Sequence, residues 1–572
     1  MELSFNELKK MLKQDASHLP VIKAALLGDS STQLFALALR GYALSVNYNL
    51  DLFESDYDQI DLQVSDPGSD LYTSNPRFII VFHSPRKLLK EFYKLPAAER
   101  SGFAEHYLNR VKETCETINS RTSATIIWAN LPMLDDGIFG QFSNKLPMAW
   151  PYQQRSINTG LMKLAAEEKN LFIADFDLLQ SRVGMGDVHN SAMYVSSDII
   201  FSLDFMPVAA KAVMDIIKAV SGMFAKCLVL DLDNTVWGGV IGDDGIDKIQ
   251  IGDLGIGKAY TELQLWAKEL KERGVILAVC SKNTDSIARE PFEKHPDMIL
   301  RMEDIAVFVA NWENKVDNIR HIQSVLNIGF DSMVFLDDNP FERNMVRDNV
   351  PGLVVPELPE DPADYIPFLR TLNLFETATF ESADAGRTLQ YQVEAKRVVL
   401  QQQFTSEAEF LGSLDMKSDV KAFDKYTIPR IAQLSQRSNQ FNLRTVRYTE
   451  ADLVRITEDR LYHTVSFSLK DKFGDYGLVS AIVLSARENE LFLENWIMSC
   501  RVLKRGMEAF VYNKIVNIAR EYGFAKVTAE YIPTAKNGIV ANLLPDLGFV
   551  KNDKWELDAT TAEHKSNFIK AT

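Results

Sequence analysis

The chain has 572 residues, with 62 Lys and Arg against 78 Asp and Glu, a net charge of −16, 46% hydrophobic residues and 24% charged ones. That length exceeds one ordinary domain, and the balance is that of a soluble globular protein. The charge argues against a nucleic-acid backbone as partner, and no apolar run has the length of a membrane span, so neither nucleic acid nor membrane is expected. Four cysteines, Cys115, Cys227, Cys280 and Cys500, lie far apart without a Cys-x-x-Cys pair. This pattern fits a reducing cytoplasm and no structural zinc. The start, Met-Glu-Leu-Ser-Phe-Asn-Glu, has no basic n-region and is not read as a signal peptide.

The first region, residues 1 to 220, opens with a short amphipathic helix at 5 to 14. An apolar run from Val21 to Leu27 then ends in Gly28-Asp29-Ser30-Ser31-Thr32, followed by a helical stretch to about Val46. Apolar runs recur at Phe78 to Phe82, Ala124 to Trp128 and Leu171 to Ala174, separated by helical patterns. Strand and helix alternate, which predicts an α/β layer domain.

The second region, about 221 to 380, places chemistry where apolar runs stop. Cys227 to Leu230 reads as a strand buried on both faces, and it ends in Asp231, Asp233 and Thr235. Two carboxylates at a strand end repel each other unless a cation or proton is shared. A hard cation such as Mg²⁺ takes oxygen ligands there. Ser281 follows the run Val275 to Cys280, Lys315 opens the helical pattern Val316 to Leu326, and Asp337-Asp338 follow Met333 to Leu336. Polar groups that all fall at strand ends or helix starts predict one site at one edge of a parallel sheet. Trp237, Gly238, Gly239 and Gly242-Asp-Asp-Gly245 predict a glycine-rich hairpin that closes near the site. Gly252 to Ala259 has Walker A spacing, but no Ser or Thr follows Lys258 and no buried strand leads in, so nucleotide binding is rejected there. The stretch from Ser281 to Lys315 leaves room for one helix and one strand, and none for a cap domain.

The third region, 381 to 572, begins with a charged, helical connector at Ser382 to Phe410. Thr464 to Leu469, Gly477 to Leu484 and Leu491 to Ile497 read as strands. A long helix follows from about Arg501 to Tyr522.

Asp231-x-Asp233-x-Thr235, Ser281, Lys315 and Asp337-Asp338 resemble the four motifs of the haloacid dehalogenase superfamily. The strings around them, Cys280-Ser-Lys-Asn, Asn311-Trp-Glu-Asn-Lys and Leu336-Asp-Asp-Asn-Pro, are similar to its FkbH-like subgroup, subfamily IIIC. The resemblance implies a capless Rossmann-like domain with Asp231 as nucleophile and Asp233 as general acid and base. It implies Thr235, Ser281 and Lys315 on the phosphate, and Mg²⁺ on Asp231, Asp337, Asp338 and the carbonyl of Asp233. FkbH-like proteins are associated with loading a glyceryl group from 1,3-bisphosphoglycerate, a phosphorylated three-carbon substrate, onto an acyl carrier protein. On that reading Cys280 is either a small buried core residue or the carrier of the acyl group as a thioester. A plain phosphatase on a small phosphoester and a carrier-binding scaffold without turnover are the alternatives.

Gly28-Asp29-Ser30 with Asn130, Asp187 and His189 resembles the SGNH hydrolase fold. Its triad would need Ser30 beside a base held by a third group. Here the spacing is Asp187-x-His189, one residue short of the family's, so Ser30 is read either as a nucleophile or as a turn former. Residues Tyr531 to Asn537 through Phe549 resemble the close of a GNAT acyltransferase fold. That resemblance implies coenzyme A or a phosphopantetheine arm near Arg501, Arg505 and Gly506, where a Gly-rich turn holds pyrophosphate. Only one glycine is present, and a solvated basic helix start is the other reading. The expected whole is an α/β multidomain protein: an SGNH-like domain, a capless parallel-sheet domain and an α+β GNAT-like domain.

Overall fold

The computed structural model describes residues 3–380, 404, 406–534 and 536–572. Residues 1–218 with 449–452 form one compact unit, and 219–448 with 453–572 form another.

In the first unit the strands are β1 (Val21–Gly28), β2 (Asn49–Glu54), β3 (Phe78–Phe82), β4 (Thr125–Ala129) and β5 (Leu171–Ala174). They form one parallel sheet in the order β2-β1-β3-β4-β5. β3 and β4 are buried along their whole length, as continuous apolar runs require when helices cover both faces. β2 was not visible as an apolar run. Asn-Leu-Asp-Leu-Phe-Glu alternates because it is an edge strand with one wet face. The first helix, Phe5–Met11, starts on a capping box in which Ser4 and Glu7 satisfy each other's backbone N–H groups. It packs on the helix Gln33–Ser45, where a Cβ on Gly41 would come 2.5 Å from the Leu8 carbonyl oxygen.

The second unit holds two sheets. The first contains β6 (Cys227–Leu230), β7 (Ile276–Ser281), β8 (Ile305–Ala310) and β9 (Met333–Leu336), all parallel in the order β8-β7-β6-β9. Leu230 pairs with Val279 on one side and Leu336 on the other. The strands therefore end together, and Asp231, Ser281 and Asp337 emerge at one edge. The helix Gly257–Glu272 returns the chain to β7, and its first turn is held by Thr261, whose Oγ1 accepts the Gly252 N–H at 2.9 Å. Asp285–Lys294 and β8 fill the interval between Ser281 and Lys315, and no cap is inserted there.

The second sheet is built from β10 (Met416–Ser418), β11 (Val420–Lys421), β12 (Tyr462–Asp471), β13 (Gly474–Arg487), β14 (Glu490–Met498), β15 (Lys526–Ala529), β16 (Val550–Lys551), β17 (Trp555–Asp558) and β18 (Ile569–Ala571). Its order is β16-β17-β15-β14-β13-β12-β10-β18, with β11 beside β12. β12, β13 and β14 are antiparallel, and the helix Met507–Glu521 crosses over to β15, parallel to β14. The three strand-like stretches of the third region are these. The connector lies mostly outside the described residues; its end forms the helix Glu407–Gly412. The chain is thus an α/β multidomain protein with two parallel sheets and one mixed sheet. No described helix is long and apolar enough to cross a membrane.

Candidate active site

Asp231, Asp337 and Asp338 bring one carboxylate oxygen each to within 4.8 Å of one another. Asp231 and Asp337 are buried at the ends of β6 and β9. Lys315 opens the helix Lys315–Leu326, whose start is set by Asn314 capping the Asp317 N–H. Its ammonium lies 2.9 Å from Asp231 Oδ1 and 2.6 Å from Asp337 Oδ2. Three carboxylates and one ammonium leave two negative charges in a buried place. Burial raises the pKa of Asp231 and pushes that of Asp337 up to about 6, with Asp231 adding to the latter. Burial, then Asp337, raises that of Asp338. Burial pulls the Lys315 pKa down, but Asp231 and Asp337 outweigh it and the net shift is upward. Oxygen donors carrying this residual charge fit a divalent hard cation.

Asp233 stands outside that trio. Its Oδ1 accepts from Trp237 Nε1 at 2.9 Å and the Ile241 N–H at 3.0 Å, and its Oδ2 from Asn283 Nδ2 at 3.1 Å. The expectation of Asp233 beside the metal can therefore be carried only by its backbone, since its carboxylate is aimed at the flap. Burial nevertheless raises its pKa above that of a free aspartate. The flap is not a hairpin ladder. It is a loop closed by the Gly238–Gln250 pair, with one helical turn at Ile241–Asp244. Gly239 sits at φ +91°, and its N–H donates to Asn234 Oδ1.

Thr235 is fully buried, and its Oγ1 accepts the Asp338 N–H at 3.0 Å. It thereby ties the end of β6 to the turn that carries Asp338. Ser281 is buried at the end of β7. Cys280 has no exposed surface, its thiol lies 3.9 Å from the Lys315 carbonyl, and burial pushes its pKa up. An acyl donor cannot reach that sulfur, so the core reading of Cys280 replaces the thioester one.

Arg343 was missed. It is buried, and its guanidinium donates to the carbonyls of Asp337 and Asp338 at 2.8 and 2.7 Å. It thereby fixes the turn carrying both carboxylates. Trp237 and Asn283 lie within strings the sequence singled out, but nothing in those strings marked them as the partners of Asp233.

In the first unit Asp29 Oδ1 accepts the Ser84 N–H at 2.8 Å, and burial pushes its pKa up to about 7. Ser30 is buried. Asn130 donates to Asp175 Oδ1 at 2.7 Å and accepts the Asp177 N–H at 3.0 Å, so it braces the turn after β5. His189 Nδ1 faces the Ile200 carbonyl at 3.3 Å. Asp187 uses its backbone carbonyl to hold Ser202, and its exposed carboxylate makes no hydrogen bond to His189. The imidazole is oriented by the Ile200 carbonyl instead of by Asp187.

In the mixed-sheet region Arg501 Nε donates to Ser499 Oγ at 3.2 Å. Arg505 is turned inward, 3.7 Å from Asp471 and over the Tyr476 ring, so the expected anion contact of Arg505 is replaced by an internal pair. Gly506 takes φ +75° at the start of the helix Met507–Glu521.

A family model described as FkbH, N-terminal domain, matches residues 23–218. The chain is 50% identical to the N-terminal part of the protein BF1531 from Bacteroides fragilis, containing a phosphatase domain and complexed with Mg. That alignment covers 66% of this chain and 100% of that one, with a TM-score of 0.64. The chain belongs to the FkbH-like family. This FkbH-like chain also aligns over 26% of its length with the ribosomal-protein-S18-alanine N-acetyltransferase from Escherichia coli, at 15% identity, 99% of that chain and a TM-score of 0.20. Over 25% it aligns with spermidine N-acetyltransferase from Vibrio cholerae in complex with CoA and spermine, at 11% identity, 97% of that chain and a TM-score of 0.21. No curated protein sequence matches.

Proposed function

We propose that this FkbH-like chain is a Mg²⁺-dependent cytoplasmic enzyme that removes phosphate through an aspartyl-phosphate on Asp231. We further propose that the removal is coupled to loading a glyceryl group from 1,3-bisphosphoglycerate onto an acyl carrier protein. The observation that supports it is the buried cluster of Asp231, Asp337, Asp338 and Lys315, with two negative charges left over. The 50%-identical relative complexed with Mg supports the choice of ion.

Asp231, Asp337 and Asp338 would hold the cation. When bound, it neutralises charge on phosphoryl oxygens. Lys315 keeps Asp231 ionised against the cost of burial, so that its oxygen can attack phosphorus. The P–O bond to the leaving group breaks as the Asp231–P bond forms. Asp233, whose raised pKa favours its protonated form, delivers a proton to the departing oxygen and afterwards takes one from the attacking water. Trp237, Asn283 and the Ile241 N–H hold that carboxylate at the flap, which excludes water while the phosphoryl group is on the enzyme.

The capless edge favours a substrate carried on a macromolecule. Trp312 and Phe341 are 74% and 69% exposed. Trp312 sits on the loop before Lys315, and Phe341 in the first turn of the helix Pro340–Asn349 that follows Asp337-Asp338; aromatic side chains in such places anchor partners. The test is phosphate release from 1,3-bisphosphoglycerate with Mg²⁺, with and without a phosphopantetheinylated carrier, read together with the mass of the carrier. A glyceryl adduct supports the coupled reading. Phosphate release with a bare carrier leaves a plain phosphatase.

A further inference from the structure

The carboxylate cluster and Lys315 together leave two negative charges, which one divalent cation matches. Nothing in that balance serves a second anionic group on a substrate. Lys315 is buried between Asp231 and Asp337, and the Arg343 guanidinium is engaged by the carbonyls of Asp337 and Asp338. Lys282 is a further cation at this edge. It directly follows Ser281, the last residue of β7, and directly precedes Asn283, which holds the Asp233 carboxylate.

Lys282 Nζ lies 2.6 Å from Glu342 Oε1. Glu342 stands in the first turn of the helix Pro340–Asn349, which follows β9. β7 and β9 are the two neighbours of β6 in the sheet. The ion pair therefore joins the segments that leave the two strands flanking β6, at the edge where Asp231 emerges. Glu342 is close enough to Cys280 to act on it electrostatically, as are Lys315, Asp231 and Asp337, so its carboxylate belongs to the same buried neighbourhood.

The two partners are unequally covered. Lys282 keeps 36% of its side chain exposed, against 8% for Glu342. Glu342 Oε2 is buried and meets no hydrogen-bond partner among the described residues. If Lys282 swung away, an unpaired carboxylate would be left in a buried place, which is costly. The ammonium is thus pinned from beneath and open above. It has three N–H donors, and Glu342 is its one hydrogen-bond partner among the described residues. A fixed, half-open cation beside a phosphoryl site is preorganised for an anionic group that arrives with the substrate.

We propose that Lys282, positioned by Glu342, selects phosphate esters that carry a second anionic group, a carboxylate or acyl phosphate, on a short carbon skeleton. The inference rests on the reading that Asp231 takes phosphate from the substrate. Lys282 donates to the second group while the ester phosphate faces Asp231 and the cation site. An ester with a neutral hydroxyl in place of that group loses this charged hydrogen bond.

The test compares kcat/KM for phosphate release from 3-phosphoglycerate and from glycerol 3-phosphate, with Mg²⁺ and the full chain. The two esters share a skeleton length and differ in the carboxylate. The wild type should favour 3-phosphoglycerate, and Lys282→Gln should lower the ratio about ten-fold, the size of one charged hydrogen bond. Lys282→Arg should retain most of the ratio. Lys282→Gln leaves Glu342 without its cation, so its folding is checked by its thermal unfolding midpoint. The double variant Lys282→Gln with Glu342→Gln keeps an amide pair between the two segments and removes both charges. It should lose the ratio as well, whereas a pair that only ties the segments together would keep it. A wild type without the preference, or a ratio unchanged in Lys282→Gln or in the double variant, would overturn the assignment. Release of phosphate by the wild type with no such change sinks the Lys282 proposal alone. No release from either ester sinks the reading beneath it.

Discussion

Lys315 Nζ lies 2.9 Å from Asp231 Oδ1, and both side chains are buried. The ammonium is what permits an ionised nucleophile in a place where burial alone would hold a proton on it. Lys315→Met removes one partner of a buried pair. It should destabilise the chain by about 3–5 kcal/mol and lower phosphoryl turnover by about 10²–10³-fold. Without the ammonium the carboxylates favour protonation further, so the loss in melting temperature should be larger at pH 8 than at pH 5.5. Thermal unfolding at the two pH values checks this.

Mg²⁺ binding should strengthen as pH rises through about 6. Asp337 keeps its proton in the folded chain to about 6, against 3.8 for a free aspartate, because burial and Asp231 disfavour its charge. Folding therefore takes up a proton between those values. The stability that Asp337 contributes is present below about 3.8 and is lost as pH climbs through about 6. A cation that requires the ionised form competes with that proton, and its affinity falls about ten-fold per pH unit below the folded pKa. Calorimetric titration with Mg²⁺ at pH 5, 6 and 7.5 measures it. A pH-independent affinity would contradict the assignment of Asp337 as a ligand.

Asp233 and Asp231 should separate by leaving group. Asp233→Asn keeps an acceptor toward Trp237 and the Ile241 N–H but has no proton to give. Turnover of an alkyl phosphate should drop about 10²-fold or more, with a much smaller loss for p-nitrophenyl phosphate, whose leaving group needs no acid. Equal losses on both would mean that Asp233 positions the flap and does not transfer a proton.

Trp312→Ala and Phe341→Ala should leave hydrolysis of a small phosphoester unchanged while raising the carrier concentration needed for loading. Loss of an exposed aromatic anchor costs about 1–2 kcal/mol, or 5–30-fold. Steady-state kinetics with carrier as the varied substrate reads this.

Asn130 was expected in a hydrolase site and acts as a brace. Asn130→Ala strips a buried partner from Asp175 and from the Asp177 N–H. It should cost about 1–3 kcal/mol of stability without altering phosphoryl turnover. Thermal unfolding and phosphate release on the same preparation check both halves.

The carboxylate cluster was legible because each member follows a short, wholly buried strand, and parallel strands that end in register bring such residues together. Arg343 was not legible: it sits in an ordinary amphipathic helix, and its role depends on the Asp337-Asp338 turn bending back over that helix. β2 escaped because an edge strand alternates instead of running apolar. Glycine content announced the flap, but its closure by Gly238 and Gln250 depends on a pairing that spacing does not specify. A cavity in the second unit was invisible in the sequence. Lys226, Arg437, Cys500 and Lys536 line it but share no motif, and only the packing of two sheets onto each other brings them to one space. Cys280 adjoins Ser281 in the sequence, yet the fold buries that sulfur and leaves Cys500 facing that cavity.

The most direct measurement is the mass of a phosphopantetheinylated carrier after incubation with 1,3-bisphosphoglycerate, Mg²⁺ and either the wild-type chain or Asp231→Asn. The wild type is expected to leave a glyceryl group on the carrier and release phosphate. Asp231→Asn is expected to give no dephosphorylated product, with turnover reduced about 10³-fold or more. A glyceryl-loaded carrier formed by Asp231→Asn at the wild-type rate would contradict phosphoryl transfer to Asp231, and with it the account of the site.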